Sequence, residues 1–287
     1  MTKVRTINLD GNFIPLAYPE IEFETFKFEG GGEVHIKLNS KIEYSIIEHV
    51  VISHRIRNTD DLMLIMLAHD ALKIKGITNM SLCIPYLPYA RQDRLCDSGE
   101  SFSLKVFANL INLMNFDIVW ILDPHSLVTP ALINNCKVIN NDMLVMNTLL
   151  EITNGQPIHI ISPDSGSNKK IHEIVSKINP ALFSGVIACD KVRDTKTGKL
   201  TGFKVFADDL EKQDCLIVDD ICDGGGTFNG LAVELKNKNA GDLYLYVSHG
   251  LFSKGFEELQ KNFKKIYTTN SFQDIPNLFV KQFKIQL

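Results

Sequence analysis

The chain has 287 residues, of which 45% are hydrophobic and 22% are charged, so it can bury a sizeable core. Its net charge of −4 argues against a nucleic-acid-binding protein held by bulk electrostatics. The six cysteines show no CxxC pair and no zinc-like spacing, the N-terminus lacks a signal-peptide pattern, and no stretch approaches the roughly 20 apolar residues of a membrane span. We therefore expect a cytoplasmic protein with reduced, mostly buried cysteines and with no nucleic-acid or membrane partner.

Short apolar runs alternate with longer amphipathic segments, which is typical of an α/β fold with mainly parallel sheets. The predicted strands cover residues 33–38, 44–52, 80–84, 118–122, 158–162, 181–188, 215–218 and 242–248. The predicted helices cover residues 60–75, 103–114, 142–153, 169–179 and 227–239. Asp60 is the expected N-cap of the first helix, and residues 30–32 and 195–202 are expected to form loops.

Two passages of similar layout indicate two domains of similar build. Residues 118–125 and 215–223 each run from an apolar strand directly into acidic side chains. We predict two doubly wound domains, residues 1–138 and 139–287, each with a mainly parallel sheet.

The stretch CLIVDDICDGGGTFNG, residues 215–230, combines acids with a glycine-rich loop. Backbone N–H groups of such a loop and of the following helix can bind a phosphate, although a tight turn with N-capping residues would use the same glycines. The neighbouring carboxylates of Asp219 and Asp220 repel each other unless a cation or hydroxyl groups lie against them. A sugar phosphate provides both features, since its hydroxyls suit the acids and its phosphate suits the glycines.

Two motifs carry a resemblance to a known family. VDDICDGGGT resembles the ribose-5-phosphate loop shared by phosphoribosyltransferases and phosphoribosyl-pyrophosphate synthetases. PYLPYARQDR, residues 85–94, is similar to the ATP-binding segment of ribose-phosphate pyrophosphokinases, which transferases lack. Further matches in order are FANL (107–110), LDPH (122–125), SPDSG (162–166), DKVR (190–193) and TTNS (268–271). From about residue 60 onward the sequence is therefore identified as a divergent member of the ribose-phosphate pyrophosphokinase family.

The resemblance implies two type I phosphoribosyltransferase-like domains and a diphosphotransferase. Members move the β,γ-diphosphoryl group of Mg²⁺-ATP to the anomeric hydroxyl of ribose 5-phosphate and release AMP. They are usually homo-oligomers, so we expect a dimer or a hexamer.

The resemblance also assigns roles to residues of this chain. ATP contacts fall on Arg91, Gln92 and Asp93, with adenine contacts at Phe28 and Glu33 of the FEGGGE segment. Ribose-phosphate contacts fall on Asp219, Asp220, Asp223, Gly224, Gly225, Gly226 and Thr227. The Mg²⁺ ligands would be His125, Asp164, Asp219 and Asp220, and the catalytic groups would be His125 with the basic pair Lys191 and Arg193. That pair lies on a stretch, residues 190–203, that would close over the transferred group.

The sequence departs from the family pattern in three places. The family's phosphate loop reads D-T-x-G-T, whereas this chain has glycine at position 224; SPDHGG is replaced by SPDSGS; and the N-terminal region is shorter. Loss of the threonine at position 224 predicts a looser pocket that could admit a ribose 5-phosphate carrying more on its phosphate, such as ADP-ribose in NAD metabolism. The further alternatives are a phosphoribosyltransferase and an inactive regulatory paralogue.

Overall fold

The computed structural model describes residues 3–193 and 200–287, and the side chains of all of these except residues 192, 193, 200 and 201. Most of the loop predicted at residues 195–202 therefore lies outside the described part. The chain forms two compact units, here called the first unit (Met1–Ile139 with Lys284–Leu287) and the second unit (Asn140–Phe283). Within the described residues, every helix is too short or too polar to cross a lipid bilayer.

The first unit contains a five-stranded parallel sheet and a separate hairpin. Its strands in chain order are β1 (Val4–Asn8), β2 (Phe23–Lys27), β3 (Val34–Leu38), β4 (His49–Ser53), β5 (Met80–Cys83), β6 (Val119–Leu122) and β7 (Cys136–Ile139). The parallel sheet has the order β1-β4-β5-β6-β7, and β2 pairs with β3 in antiparallel fashion. The C-terminal tail, residues 284–287, belongs to the first unit and not to the second predicted domain, because Ile285 is buried beside Phe13 and Leu122.

The helices of the first unit are α1 (Thr59–Ile74), α2 (Ser103–Asn112) and the short α3 (Val128–Leu132). The N-cap of α1 is Asn58 and not the predicted Asp60, because the side chain of Asn58 accepts a hydrogen bond from the backbone of Asp61, whose carboxylate in turn accepts from the backbone of Asn58. Ile65, Ala68 and Leu72 form the buried stripe of α1 that packs into the core.

The strand predicted at residues 44–52 was wrong in its first half. Tyr44–Ile46 form a turn of 3₁₀ helix, and the strand begins at His49. The apolar pattern misled the prediction because Tyr44 packs into the core from this turn and not from a strand. Its hydroxyl donates to the carbonyl of Asn39 at 3.0 Å.

The second unit contains a seven-stranded sheet. Its strands are β8 (Ile158–Ser162), β9 (Phe183–Arg193), β10 (Leu200–Val205), β11 (Cys215–Cys222), β12 (Leu243–Gly250), β13 (Lys265–Thr269) and β14 (Val280–Phe283). The order is β10-β9-β8-β11-β12-β13-β14, with every pair parallel except β9 and β10. The predicted α/β fold class with mainly parallel sheets is confirmed.

The helices of the second unit are α4 (Asp142–Ile152), α5 (Ser165–Val175), α6 (Gly226–Asn237) and α7 (Glu257–Gln260). Helix α5 starts four residues earlier than the predicted 169, because Asp164 acts as its N-cap and accepts from the backbone of Ser167 at 3.0 Å. It also ends at Val175 rather than at residue 179, because the chain continues in tighter turns in which the N–H groups of Lys177 and Ile178 donate to the carbonyls of Ile174 and Val175.

Strand β11 is longer than predicted and includes the acids. We expected the strand to end at residue 218, but Asp219 pairs with Val247 and Ile221 with His249 of β12. Asp219 and Asp220 therefore lie within the carboxyl-terminal part of a central strand rather than in the loop after it. Ligands of parallel α/β sheets bind at this edge.

Candidate active site

The loop between β11 and α6, residues 223–227 (the glycine loop), has the geometry of an anion-binding turn. Gly225 is the N-cap of α6 with φ of 74°, a left-handed conformation that favours glycine. Its lack of a side chain leaves the first turn of this 12-residue helix without a side-chain cap. The first N–H groups of α6 and the positive end of its dipole are therefore suited to bind a phosphate.

A second segment, residues 251–256, is attached to the glycine loop. The backbone N–H groups of Leu251 and Phe252 donate to the carbonyl of Cys222 at 2.9 and 3.1 Å. Ser253 donates from its backbone to the carbonyl of Asp223 at 3.1 Å, and from its hydroxyl to the carboxylate of Asp223 at 2.6 Å. Asp223 is thus held in place by Ser253.

Lys254 lies directly against the glycine loop. A Cβ atom at position 224 would lie 3.2 Å from Cδ and 3.3 Å from Cε of Lys254. The looser pocket predicted from Gly224 is wrong in this respect, because the lysine methylenes occupy the space next to the glycine. Sequence reasoning missed Ser253 and Lys254. The available signal was that they follow β12, whose carboxyl end lies at the same sheet edge as that of β11.

The two acids of β11 form a partly buried, electrostatically unfavourable pair. Asp220 is 8% exposed, and its backbone N–H donates to the carboxylate of Asp219 at 2.9 Å. Burial raises the pKa of Asp219 well above its ordinary value, and the negative charges of Asp220 and Asp164 raise it further. A ligand that brings hydroxyl donors or a cation to this pair would relieve the repulsion.

Asp164 and Lys191 form an ion pair beside these acids. Lys191 Nζ lies 2.6 Å from Asp164 Oδ2, and each side chain is about one quarter exposed. Burial alone would raise the pKa of Asp164, but the hydrogen bond and positive charge of Lys191 outweigh it, so the pKa falls below its ordinary value. The structure thus places the Asp164–Lys191 pair close enough to the β11 acids for the charge of Asp164 to act on Asp219, and the catalytic and metal-binding roles of these residues stay predictions. For Arg193 only the backbone at the end of β9 is described.

In the first unit, the PYLPYARQDR segment follows β5 and is fixed to α2. Tyr89 has a left-handed φ of 64°, and its ring packs against Phe107 of α2. Gln92 donates from its backbone to the carbonyl of Tyr89 at 2.9 Å and accepts from Leu104 at 3.3 Å. Arg91 and Gln92 are exposed at the surface.

Asp93 connects this segment with the LDPH motif. It is 5% exposed, and its pKa lies below the ordinary value, chiefly because Arg94 Nε donates to it at 2.8 Å and also because Ser126 donates to it. The charge of the nearby His125 acts in the same direction. The structure therefore places Asp93 and His125 together at the carboxyl edge of the first sheet, and their contacts with ATP stay predictions.

Phe28 and Glu33 lie at the two ends of the turn between β2 and β3. The N–H of Phe28 donates to the carbonyl of Glu33 at 3.0 Å, and the exposed ring of Phe28 contacts Phe26 and His35. Aromatic rings at the surface can stack on a nucleotide base. The adenine contacts assigned to this pair are not tested by the structure.

The carboxylates of the second unit suit Mg²⁺, which prefers a few carboxylate oxygens together with substrate oxygens. The unfavourable Asp219–Asp220 pair is the feature that a cation would stabilise. Across the described residues, no three histidine, cysteine or acidic side chains lie close enough to hold an ion by themselves. Asp164, Asp219 and Asp220 belong to the second unit, whereas His125 belongs to the first.

Two family models match the chain. One describes the N-terminal domain of ribose phosphate pyrophosphokinase and matches residues 16–114, and the other describes the phosphoribosyl transferase domain and matches residues 138–286. The chain belongs to the ribose-phosphate pyrophosphokinase family. The resemblance inferred from the motifs is therefore confirmed.

Curated members of the family align over most of the chain. A ribose-phosphate pyrophosphokinase from Hyphomonas neptunium is 27% identical over 88% of this chain and 78% of its own length. Those from Granulibacter bethesdensis and Cereibacter sphaeroides are each 32% identical, over 68% and 75% of this chain. The alignments span 62% and 63% of these two relatives, so the chain matches somewhat less than two thirds of their length.

A solved structure supports the fold of the whole chain. Phosphoribosylpyrophosphate synthetase from Mycobacterium smegmatis superposes with a TM-score of 0.80, covering 98% of this chain and 95% of that one. The two sequences are 20% identical, so the likeness establishes the fold.

Proposed function

We propose that this chain is an ATP-dependent diphosphotransferase that converts ribose 5-phosphate and ATP into phosphoribosyl pyrophosphate and AMP. One observation carries the proposal. The acid pair Asp219–Asp220 on β11 is followed directly by the glycine loop, which leads into α6 and leaves the first turn of that helix without a side-chain cap. One ligand with hydroxyls at one end and a phosphate at the other satisfies both.

The second unit would bind the acceptor. Asp219 and Asp220 accept hydrogen bonds from the ribose hydroxyls, which offsets the repulsion between the two carboxylates. The amides of residues 224–227 hold the 5-phosphate, which the positive end of the α6 dipole favours. Asp223, already fixed by Ser253, orients the loop.

The first unit would bind ATP through Arg91 and Gln92, with the ring of Phe28 against the adenine. The exposed Arg91 can donate two parallel hydrogen bonds to phosphate oxygens. The buried Asp93 holds the ATP segment next to His125. His125 would then act as a Mg²⁺–ATP ligand, as the resemblance implies.

The chemical step needs alignment and charge stabilisation. The anomeric oxygen attacks the β-phosphorus, the bond from that phosphorus to the oxygen shared with the α-phosphate breaks, and AMP leaves with that oxygen while the hydroxyl proton passes to solvent or a nearby carboxylate. Mg²⁺, held by the acids named above, would neutralise phosphate charge when bound. Lys191 has its ammonium at the acceptor side of the second unit, where Asp164 holds it ready to stabilise the charge that develops on the transferred group.

The competing functions have less support. The chain matches the N-terminal domain of ribose phosphate pyrophosphokinase and carries the PYLPYARQDR segment before α2, which argues against a phosphoribosyltransferase. Lys191 is present and paired with Asp164, which argues against an inactive paralogue, because such a protein has no need of this cation. ADP-ribose as acceptor has no support from the relatives' names, and the lysine methylenes beside Gly224 remove its structural motive.

An acceptor comparison tests the proposal. Purified protein with ATP and Mg²⁺ is expected to release AMP when ribose 5-phosphate is added, well above the acceptor-free blank, and to release little with ADP-ribose or with ribose plus inorganic phosphate. AMP release that depends on ADP-ribose and not on ribose 5-phosphate would overturn the acceptor assignment.

The resemblance also supports an assembly of two or more copies, a dimer or a hexamer, which we propose for this chain. A cytoplasmic location is proposed from the cysteine usage, since four of the six thiols are buried.

A further inference from the structure

We propose that Lys254 is a specificity-determining residue that binds the 5-phosphate of the acceptor in place of a side-chain hydroxyl at position 224. This inference rests on the proposed function and deepens it. It concerns a residue outside the family motifs, and the structure alone brings it to the glycine loop.

Hydrogen bonds of the neighbouring residues fix the backbone position of Lys254. Three backbone hydrogen bonds and the Ser253 hydroxyl join residues 251–253 to Cys222 and Asp223. Phe252 and Gly255, both with positive φ, turn the chain on either side of Lys254. Leu259 of α7, which follows this segment, also packs against the glycine loop, since its side chain lies 3.0 Å from where a Cβ at position 225 would be. The lysine therefore starts from a rigid base beside the loop.

Gly224 is what lets the lysine lie so close. Its φ is outside the left-handed region, so the backbone itself does not demand glycine there. A side chain at position 224 would instead meet Cγ, Cδ and Cε of Lys254 at 3.2–3.5 Å. The lysine methylenes thus cover the loop on the side from which a side chain at position 224 would point, so a side chain there would require the lysine to shift.

The chemistry of the site suits an ammonium at this point. Lys254 is exposed, and its Nζ makes no hydrogen bond or ion pair with another described residue. The acids Asp219, Asp220 and Asp223 make the surroundings negative, which opposes phosphate binding. The ammonium of Lys254 would offset that negative charge and add a donor to the backbone amides at the start of α6. Its hydrogen bond to a phosphate oxygen is charge-assisted and therefore stronger than one from a hydroxyl.

The first test separates acceptor binding from catalysis. Lys254→Ala is expected to raise KM for ribose 5-phosphate about tenfold or more, while kcat and KM for ATP change less than about twofold. Lys254→Arg keeps the charge and is expected to stay within about threefold of wild type. The matched control is Lys261→Ala, an exposed lysine paired with Glu258 at the C-terminal end of the neighbouring α7, which is expected to have no effect.

The second test uses the competition for space. In the Lys254→Ala background, Gly224→Thr is expected to recover about threefold in KM for ribose 5-phosphate, because it returns a donor to the vacated space. Gly224→Ala in the same background adds bulk without a hydroxyl and is expected to recover nothing. In the wild-type background Gly224→Thr displaces the lysine and gives no gain, so the two changes are not additive.

The outcomes distinguish this inference from the proposed function. If the wild-type protein releases AMP with ribose 5-phosphate but Lys254→Ala leaves KM unchanged, Lys254 is a surface residue and this inference is wrong. If the wild-type protein neither binds ribose 5-phosphate in calorimetry nor releases AMP with it, the proposed function fails and this inference fails with it.

Discussion

At the residue scale, the site depends on a few charged groups whose partners explain their state. The carboxylates of Asp219 and Asp220 repel each other, and the charge of Lys191 is paired with that of Asp164. The like-charge pair Asp219–Asp220 costs folding stability, and strongly shifted pKa values of this kind cluster at functional sites. Ligand binding is therefore expected to rearrange the contacts of Lys191 and of the acids rather than to create a site from neutral side chains.

Replacing Lys191 by alanine tests its role in the chemical step. We expect kcat to fall about 100-fold to 1000-fold, because a charge that stabilises the transferred group is lost, while KM for ATP changes less than about threefold. Steady-state AMP release at saturating ribose 5-phosphate measures this. The matched control is Lys204→Ala, an exposed lysine on the paired strand β10, which should keep full activity. A normal kcat for Lys191→Ala would contradict the assignment.

The sequence can group candidate site residues where they are close along the chain. Asp219, Asp220 and the glycines stand within a few positions of one another, so the sequence itself suggests that they share one ligand. Lys254 could not be found in this way. It lies thirty residues after Gly224 and reaches the loop only because β12 pairs in register with β11, which sequence patterns do not specify.

At the element scale, the glycine loop depends on one backbone conformation. Gly225 has φ of 74° and lies under Leu259, so an alanine there would be strained and crowded. We expect Gly225→Ala to lower the unfolding free energy by about 1–2 kcal/mol, measured as a lower urea midpoint. Gly226→Ala is the matched control, since its φ is ordinary and nothing lies within 4 Å of the added Cβ. Equal midpoints for the two variants would show that the turn is not constrained.

The start of α1 gives a pH-dependent prediction. Burial would raise the pKa of Asp61, but the hydrogen bonds from His54 and the backbone of Arg57 hold it at about 2, below the ordinary 3.8. Its stabilising contribution is therefore complete above about pH 4 and is lost as the pH falls toward 2.

Asp61→Asn is thus expected to lower the free energy of unfolding at pH 7 by about 1–2 kcal/mol, measured from the urea midpoint. At pH 3 the difference in unfolding free energy between the variant and wild type is expected to be smaller. Asp60→Asn is the matched control, because among the described residues Asp60 forms an exposed ion pair with Lys27 and no other salt bridge. A loss for Asp61→Asn that is the same at both pH values would mean that charge plays no part.

Element prediction failed where local pattern and tertiary contact disagreed. Strands β1, β2, β7, β10, β13 and β14 were not predicted. Each of these short strands carries a charged residue, which interrupts the apolar run that would have marked it. Helix α5 was placed too late because its cap, Asp164, was interpreted only as a ligand, whereas it also accepts from the backbone of Ser167. The long central helices and strands were predicted well because their apolar faces are continuous.

At the scale of the whole molecule, the two units share an α/β architecture but carry different side chains at the carboxyl edges of their sheets. Both units have a mainly parallel sheet whose carboxyl edge carries motif residues. These are Asp93 and His125 in the first unit, and the acid pair with the glycine loop in the second. The repeat of strand-then-acid in the sequence was enough to predict two such units. The contribution of the C-terminal tail to the first unit was not predictable, since it depends on Ile285 reaching Phe13.

Identification of the product tests the central claim most directly. Purified protein is incubated with ATP, Mg²⁺ and ribose 5-phosphate and followed by phosphorus NMR. We predict new resonances of a diphosphate ester at the anomeric oxygen, formed in amount equal to AMP. AMP accompanied by free pyrophosphate or orthophosphate, with ribose 5-phosphate unchanged, would contradict the claim that this chain transfers a diphosphoryl group to that sugar.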